Sequence, residues 1–119
     1  YHNIKLMVPK NDTLAKPYPV PYDFDFCGLV NAPYAIPDEK ADIQNVTQRF
    51  YMGFPRTMEE LEMILSAFKE KKESIILEIK NFNLLSDKTE KKVLGYLEEF
   101  YQVTDNKNSI RAAFINKAL

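Results

Sequence analysis

The run Tyr22-Asp23-Phe24-Asp25-Phe26, approached through a proline-rich stretch and preceded by His2-Asn3, holds the residue types in this chain best suited to site chemistry. Read as an extended strand, the run puts Asp23 and Asp25 on one face and Tyr22, Phe24 and Phe26 on the other. Two carboxylates that close are tolerated when a cation, an arginine or water lies between them. A hard ion such as Mg2+ suits the pair, because it takes one or two carboxylates together with substrate phosphates. The same two aspartates could equally hydrogen-bond loop amides or cap a helix, and the sequence alone leaves both readings open.

The elements that must position these residues fall into two halves. All seven prolines lie in residues 1–55 and none in 56–119. Each proline ring removes a backbone donor and blocks the preceding turn, so the first half is expected to be strands and ordered loops. Ile4 to Val8 reads as one short strand, stopped by Pro9, and Val20 to Phe26 as a second. Their antiparallel pairing would bring His2 and Asn3 near Asp23 and Asp25. Gly28 and Asn31-Ala32-Pro33 end the second strand, with Tyr34 and Ile36 as anchors of the loop beyond. Ile43 to Tyr51 reads equally as a strand or as a loop ordered by its aromatics.

Residues 56–119 carry helical periodicity. Thr57-Met58-Glu59-Glu60 has the form of a capping box, and Leu61, Ile64, Leu65 and Phe68 follow on one helix face. Ser86 is placed to cap a second helix striped by Val93, Leu94, Leu97, Phe100 and Tyr101. Asn106 and Asn108 break that helix, and Ile110, Phe114 and Ala118 mark a short last one. Ser74 to Phe82 is either a buried strand or helix, and the lack of a turn residue between Phe68 and Ser74 favours helix. The expected fold class is therefore α+β, an N-terminal β-hairpin with proline-rich loops packed on a bundle of three to four helices. All 119 residues read as one domain or as the C-terminal fragment of a larger one, with 1–55 as hairpin and loops and 56–119 helical. The chain starts at tyrosine, so it is expected to be a processed or excised part of a longer protein whose N-terminal portion would be a partner.

Composition narrows the function. Sixteen basic and 17 acidic residues give a formal charge of −1, and the lysines alternate with acids along the helical half. A solvated helix face is the expected use of those charges, and no footprint for nucleic acid is visible. Cys27 is the single cysteine, which excludes an internal disulfide and a cysteine-based zinc site. One histidine, His2, likewise excludes a histidine cluster for zinc. No apolar run of about 18 residues is present to span a membrane. Asn11-Asp12-Thr13 and Asn45-Val46-Thr47 match the glycosylation pattern, most simply by chance.

His2-Asn3-Ile4-Lys5-Leu6, Val20-Pro21-Tyr22-Asp23-Phe24-Asp25-Phe26, Gly28 and Asn31-Ala32-Pro33-Tyr34-Ala35 resemble the C-terminal part of a family of uncharacterised proteins common in Bacteroidota. Arg49 to Gly53, Lys71-Lys72 and Tyr96 to Tyr101 extend the resemblance over most of the chain. Longer members look like distant relatives of atypical kinases of the spore-coat and toxin types. The resemblance implies that Asn3 matches a catalytic-loop asparagine, Asp23 the aspartate of the Asp-Phe-Gly element and Phe24 its phenylalanine. Asp25 stands where ordinary kinases have glycine, giving an Asp-x-Asp pair like the spore-coat type. On this reading Asn3 and Asp23 bind the cofactor, and Asn3, Asp23 and Asp25 hold Mg2+ against the phosphates of ATP. The catalytic aspartate, the glycine-rich loop and the nucleotide-gripping lysine of the template have no counterpart here, so the chain would not turn over substrate alone. Two other readings stand beside it: a non-catalytic helical module presenting its Leu61/Phe68 or Phe100/Phe114 face to an unknown protein partner, and a βαβ-type regulatory domain that requires Ser74–Phe82 to be a strand.

Overall fold

An antiparallel hairpin and four helices make up the α+β architecture that the two halves of the sequence predict. The computed structural model describes residues 3–12, 14–39 and 41–118. Strand β1 (Ile4–Met7) pairs with β2 (Tyr18–Pro21), Ile4 lying opposite Pro21 and Met7 opposite Tyr18. Proline chemistry sets which margin of β2 faces β1. Pro19 and Pro21 have no N–H to donate, so they occupy the non-bonded pairs, opposite Leu6 and Ile4. The bonded rungs fall between, and the last is Tyr22 N–H donating to the Asn3 carbonyl at 3.0 Å.

The strand expected over residues 20–26 is corrected: β2 stops at Pro21. Asp23 adopts φ of 57°, a left-handed conformation that Asp and Asn tolerate better than most residues. Consecutive turns follow, with Cys27 N–H on the Phe24 carbonyl and Asn31 N–H on the Cys27 carbonyl, both at 2.9 Å. No described strand lies beside residues 23–26, and backbone groups without a ladder find their partners in turns. Residues 43–51 also form turns and bends. The Asn45 Oδ1 accepts from Thr47 N–H at 3.1 Å, and Gln48 Oε1 accepts from Gln44 N–H, which commits these side chains to a local turn.

The helices are α1 (Met58–Glu70), α2 (Lys72–Asn81), α3 (Asp87–Thr104) and α4 (Lys107–Ile110), the last continuing into one π-helical turn over Arg111–Ile115. Thr57 and Glu60 complete the capping box. Glu60 N–H donates to Thr57 Oγ1 at 3.2 Å, and Thr57 N–H donates to Glu60 Oε2 at 2.9 Å. Ser86 caps α3 through Thr89 N–H at 3.2 Å. Ser74–Asn81 is helical rather than extended, with Phe82 as the extended C-cap, so the βαβ reading falls. Helices α1 and α2 are separated only by Lys71, which stays in helical backbone space. A foreign hydroxyl meets the helix ladder there: Tyr101 O–H donates to the Phe68 carbonyl at 3.3 Å, beside Lys71 N–H at 3.2 Å.

The core sits where α1, α3 and α4 converge. Leu61, Leu65 and Ile110 are buried together, with Met58, Phe100, Phe114 and Ile115 packed around them. Tyr101 and Thr104 are buried on the same side of α3, and Thr104 satisfies its hydroxyl on the Tyr101 carbonyl at 2.8 Å. Ion pairs close the rim: Lys69 with Asp105 at 2.9 Å, Lys72 with Glu98 at 3.0 Å and Lys107 with Glu62 at 2.7 Å. Within the solvated helix faces, these lysines thus cross between helices. The strands differ, since every residue of β1 and β2 is exposed, and it is the loop segment 28–51 that meets the helices.

Candidate functional site

Asn3 and Asp23 meet at the open end of the hairpin, as the antiparallel pairing requires. Asn3 Nδ2 donates to the main-chain carbonyl of Asp23 at 2.7 Å. This bond commits the amide nitrogen to holding the left-handed turn. It leaves Oδ1, the atom with hard-metal ligand chemistry, uncommitted by that contact. His2 lies outside the described residues.

Asn3 and Asp23 line a depression of about 830 Å³ whose remaining wall comes from the loop that follows. Asp38 and Glu39 add two more carboxylate residues, while Phe26, Ile36, Ile43 and Phe50 give an apolar side. Asp25 is placed elsewhere. It accepts the Tyr34 hydroxyl at 2.6 Å, and the Phe26 and Tyr34 rings meet edge to face with centroids 6.3 Å apart. The bond to Asp25 raises the Tyr34 hydroxyl above its ordinary 10.0, helped by desolvation and by the charges of Asp25 and Asp23. The two aspartates therefore separate, Asp23 to the depression and Asp25 to bracing the loop. Their expected common strand face does not form, because neither residue lies on a strand.

Electrostatics restrict what such a depression can bind. Asp23, Asp38 and Glu39 line it, and no lysine or arginine is among its described lining residues. A bare phosphate would meet the like charge of these carboxylates there. Among the described residues no group of three or more His, Cys, Asp or Glu is arranged to hold a metal ion. Two hard oxygens suit Mg2+ all the same, because it keeps several waters and takes substrate phosphates as further ligands.

One arginine holds the far wall of the depression in place. The Arg49 guanidinium lies 3.8 Å from the centroid of the Tyr96 ring, donates to the Tyr96 carbonyl, and pairs with Glu99 at 3.1 Å. Its neighbours Gln48 and Phe50 line the depression, so α3 anchors that wall. Tyr51 packs edge to face on Phe114 at 5.3 Å, and Gly28 passes so close that a Cβ there would come within 2.5 Å of the Val46 carbonyl. Sequence reasoning missed Asp38, Glu39 and Arg49 as parts of the site. The acidic pair after Pro37 was a visible signal for the first two, whereas nothing near Arg49 in sequence announces Tyr96 or Glu99.

Of the two helix faces considered as partner surfaces, Leu61 is buried and Phe100 and Phe114 pack on the core, which leaves Phe68, Ile64 and Met63 exposed. No helix among the described residues is long and apolar enough to cross a membrane. No family model matches this chain, and neither does any curated protein or solved structure.

Proposed function

We propose that this chain is the C-terminal, metal-nucleotide-binding portion of an atypical kinase-like protein and is not catalytic by itself. The observation that carries the reading is the Asn3 amide held on the Asp23 carbonyl at 2.7 Å, at the lip of a depression lined also by Asp38 and Glu39. Asn3 and Asp23 would hold Mg2+ there, and the ion when bound would neutralise the charge of the nucleotide phosphates. Asp25, the other acidic candidate, supports the turn through Tyr34. The remaining kinase parts would come from the N-terminal portion of the same protein.

Titration of the full-length protein with Mg-ATP, with and without chelator, tests this. Asp23→Asn is expected to weaken binding at least about tenfold, equivalent to roughly 1.4 kcal/mol. Binding that is equal in wild type and Asp23→Asn, or that survives removal of Mg2+, would end the proposal. A second reading, a non-catalytic helical binding module, is supported by Met63, Ile64 and Phe68, apolar residues left exposed on α1.

A further inference from the structure

The two margins of the hairpin are chemically unequal. Asn3/Tyr22, Lys5/Val20 and Met7/Tyr18 are the bonded rungs, so the backbone groups of Ile4 and Leu6 point away from β2. Among the described residues nothing pairs with them, and their side chains are 50% and 64% exposed. Val8 continues the same alternation and is exposed as well. On the opposite margin the outward positions are Pro19 and Pro21, which have no N–H. One edge can therefore accept a strand, and the other is blunted.

A large surface is left to cover. The chain exposes 9909 Å², against about 6,700 Å² for a compact monomer of its mass. Its radius of gyration is 16.4 Å, against about 13.5 Å for a compact domain of this length. The surplus of roughly 3,200 Å² exceeds the roughly 800 Å² that each partner contributes to a standard interface.

We propose that a second copy of this chain adds along β1, antiparallel and centred on Leu6, to build a four-stranded sheet across a two-fold axis. A pairing of this kind needs a segment complementary to itself about its centre. With Leu6 on the axis it faces Leu6 of the second copy, Ile4 faces Val8 and Lys5 faces Met7. Every rung is then apolar on at least one side, and no like charges meet. Centring on Lys5 would instead oppose two lysines, which is unfavourable across a close pair. Pro19 and Pro21 become both outer margins of the assembled sheet, so growth stops at two copies. A formal charge of −1 offers little repulsion between them. This pairing uses the outer margin of β1 and stands independently of the nucleotide reading, which uses Asn3 and Asp23.

Sedimentation equilibrium of the chain and its Leu6→Pro variant, from micromolar to submillimolar concentration, tests the assembly. Leu6 faces Pro19 in a non-bonded pair, so proline there removes the outward donor and leaves the hairpin rungs intact. The wild-type chain is expected to be a reversible dimer. Leu6→Pro should raise its Kd about thirtyfold, because the two central bonds are lost at roughly 1 kcal/mol each, with 1.4 kcal/mol per decade. Amide hydrogen exchange on the wild-type chain decides the matter even if that variant misfolds. Ile4, Leu6 and Val8 amides should gain protection with concentration while Val20, already in the ladder, does not change. A chain monomeric throughout the range, a dimer indifferent to a folded Leu6→Pro, or a dimer whose Ile4 and Leu6 amides exchange freely would overturn the proposal.

Discussion

Replacing Arg49 by lysine should loosen one wall of the depression without unfolding the helices, because the arginine serves by its shape more than by its charge. Three contacts define the shape: the stack on Tyr96, the donation to the Tyr96 carbonyl and the pair with Glu99. A cation over an exposed aromatic ring contributes about 0.5–1 kcal/mol. A charge-assisted bond to a carbonyl contributes about 1.5–3 kcal/mol when dry, and about 1 kcal/mol once discounted for the 33% exposure of the Arg49 side chain. The Glu99 side chain is 68% exposed, so solvent screens that pair to a few tenths, at the low end of the roughly 0–1 kcal/mol range.

These contributions come to about 2 kcal/mol, most of it dependent on the planar fork. Lysine keeps the charge and loses the fork and most of the stack, so Arg49→Lys should destabilise by roughly 1 kcal/mol and lower Tm by about 4 °C. Hydrogen exchange should rise over residues 43–52, while α1 keeps its protection. Double-mutant cycles give the sharpest check, since coupling of Arg49 to Tyr96 should exceed coupling to Glu99 by at least about twofold. If Glu99 carries the larger coupling, or if Arg49→Lys leaves exchange over 43–52 unchanged, the argument from shape fails.

Leu65→Ala, at a position only 4% exposed beside Leu61 and Ile110, should cost about 3 kcal/mol in urea denaturation, whereas Leu6→Ala on the open hairpin should cost under about 0.5 kcal/mol. The Tyr34 hydroxyl should ionise above its ordinary 10.0 in an ultraviolet titration, and Asp25→Asn should bring it back toward 10.0. Since its folded value is raised, the stabilisation from the Tyr34–Asp25 bond is present below pH 10.0 and is lost as pH rises through the raised value. Identical titration curves for wild type and Asp25→Asn would remove Asp25 as the cause.

Much of the fold was legible because its causes are local. Thr57 and Glu60 meet across three residues, which is why their reciprocal caps could be read from spacing alone. Helix α2 was legible from the absence of a turn residue between Phe68 and Ser74, although the break at Lys71 was not. At that break Tyr101 reaches the Phe68 carbonyl from another helix. Tyr22 to Phe26 misled because aromatic alternation has a strand's period whether or not a neighbouring strand exists to pair with it.

The amino-acid sequence by itself determined the backbone states: prolines confined the first half to a hairpin and loops, and the period of apolar residues made the second half helical. Antiparallel pairing of the two short strands also brings Asn3 toward Asp23, and the prolines fix which margin of β2 faces β1. Only the tertiary structure decided that Asp25 answers to Tyr34, that Asp38 and Glu39 join Asp23, and that Arg49 locks on Tyr96. Such meetings join side chains far apart in the chain, and they depend on how turns and packed helices close the intervening loops, which residue spacing does not encode.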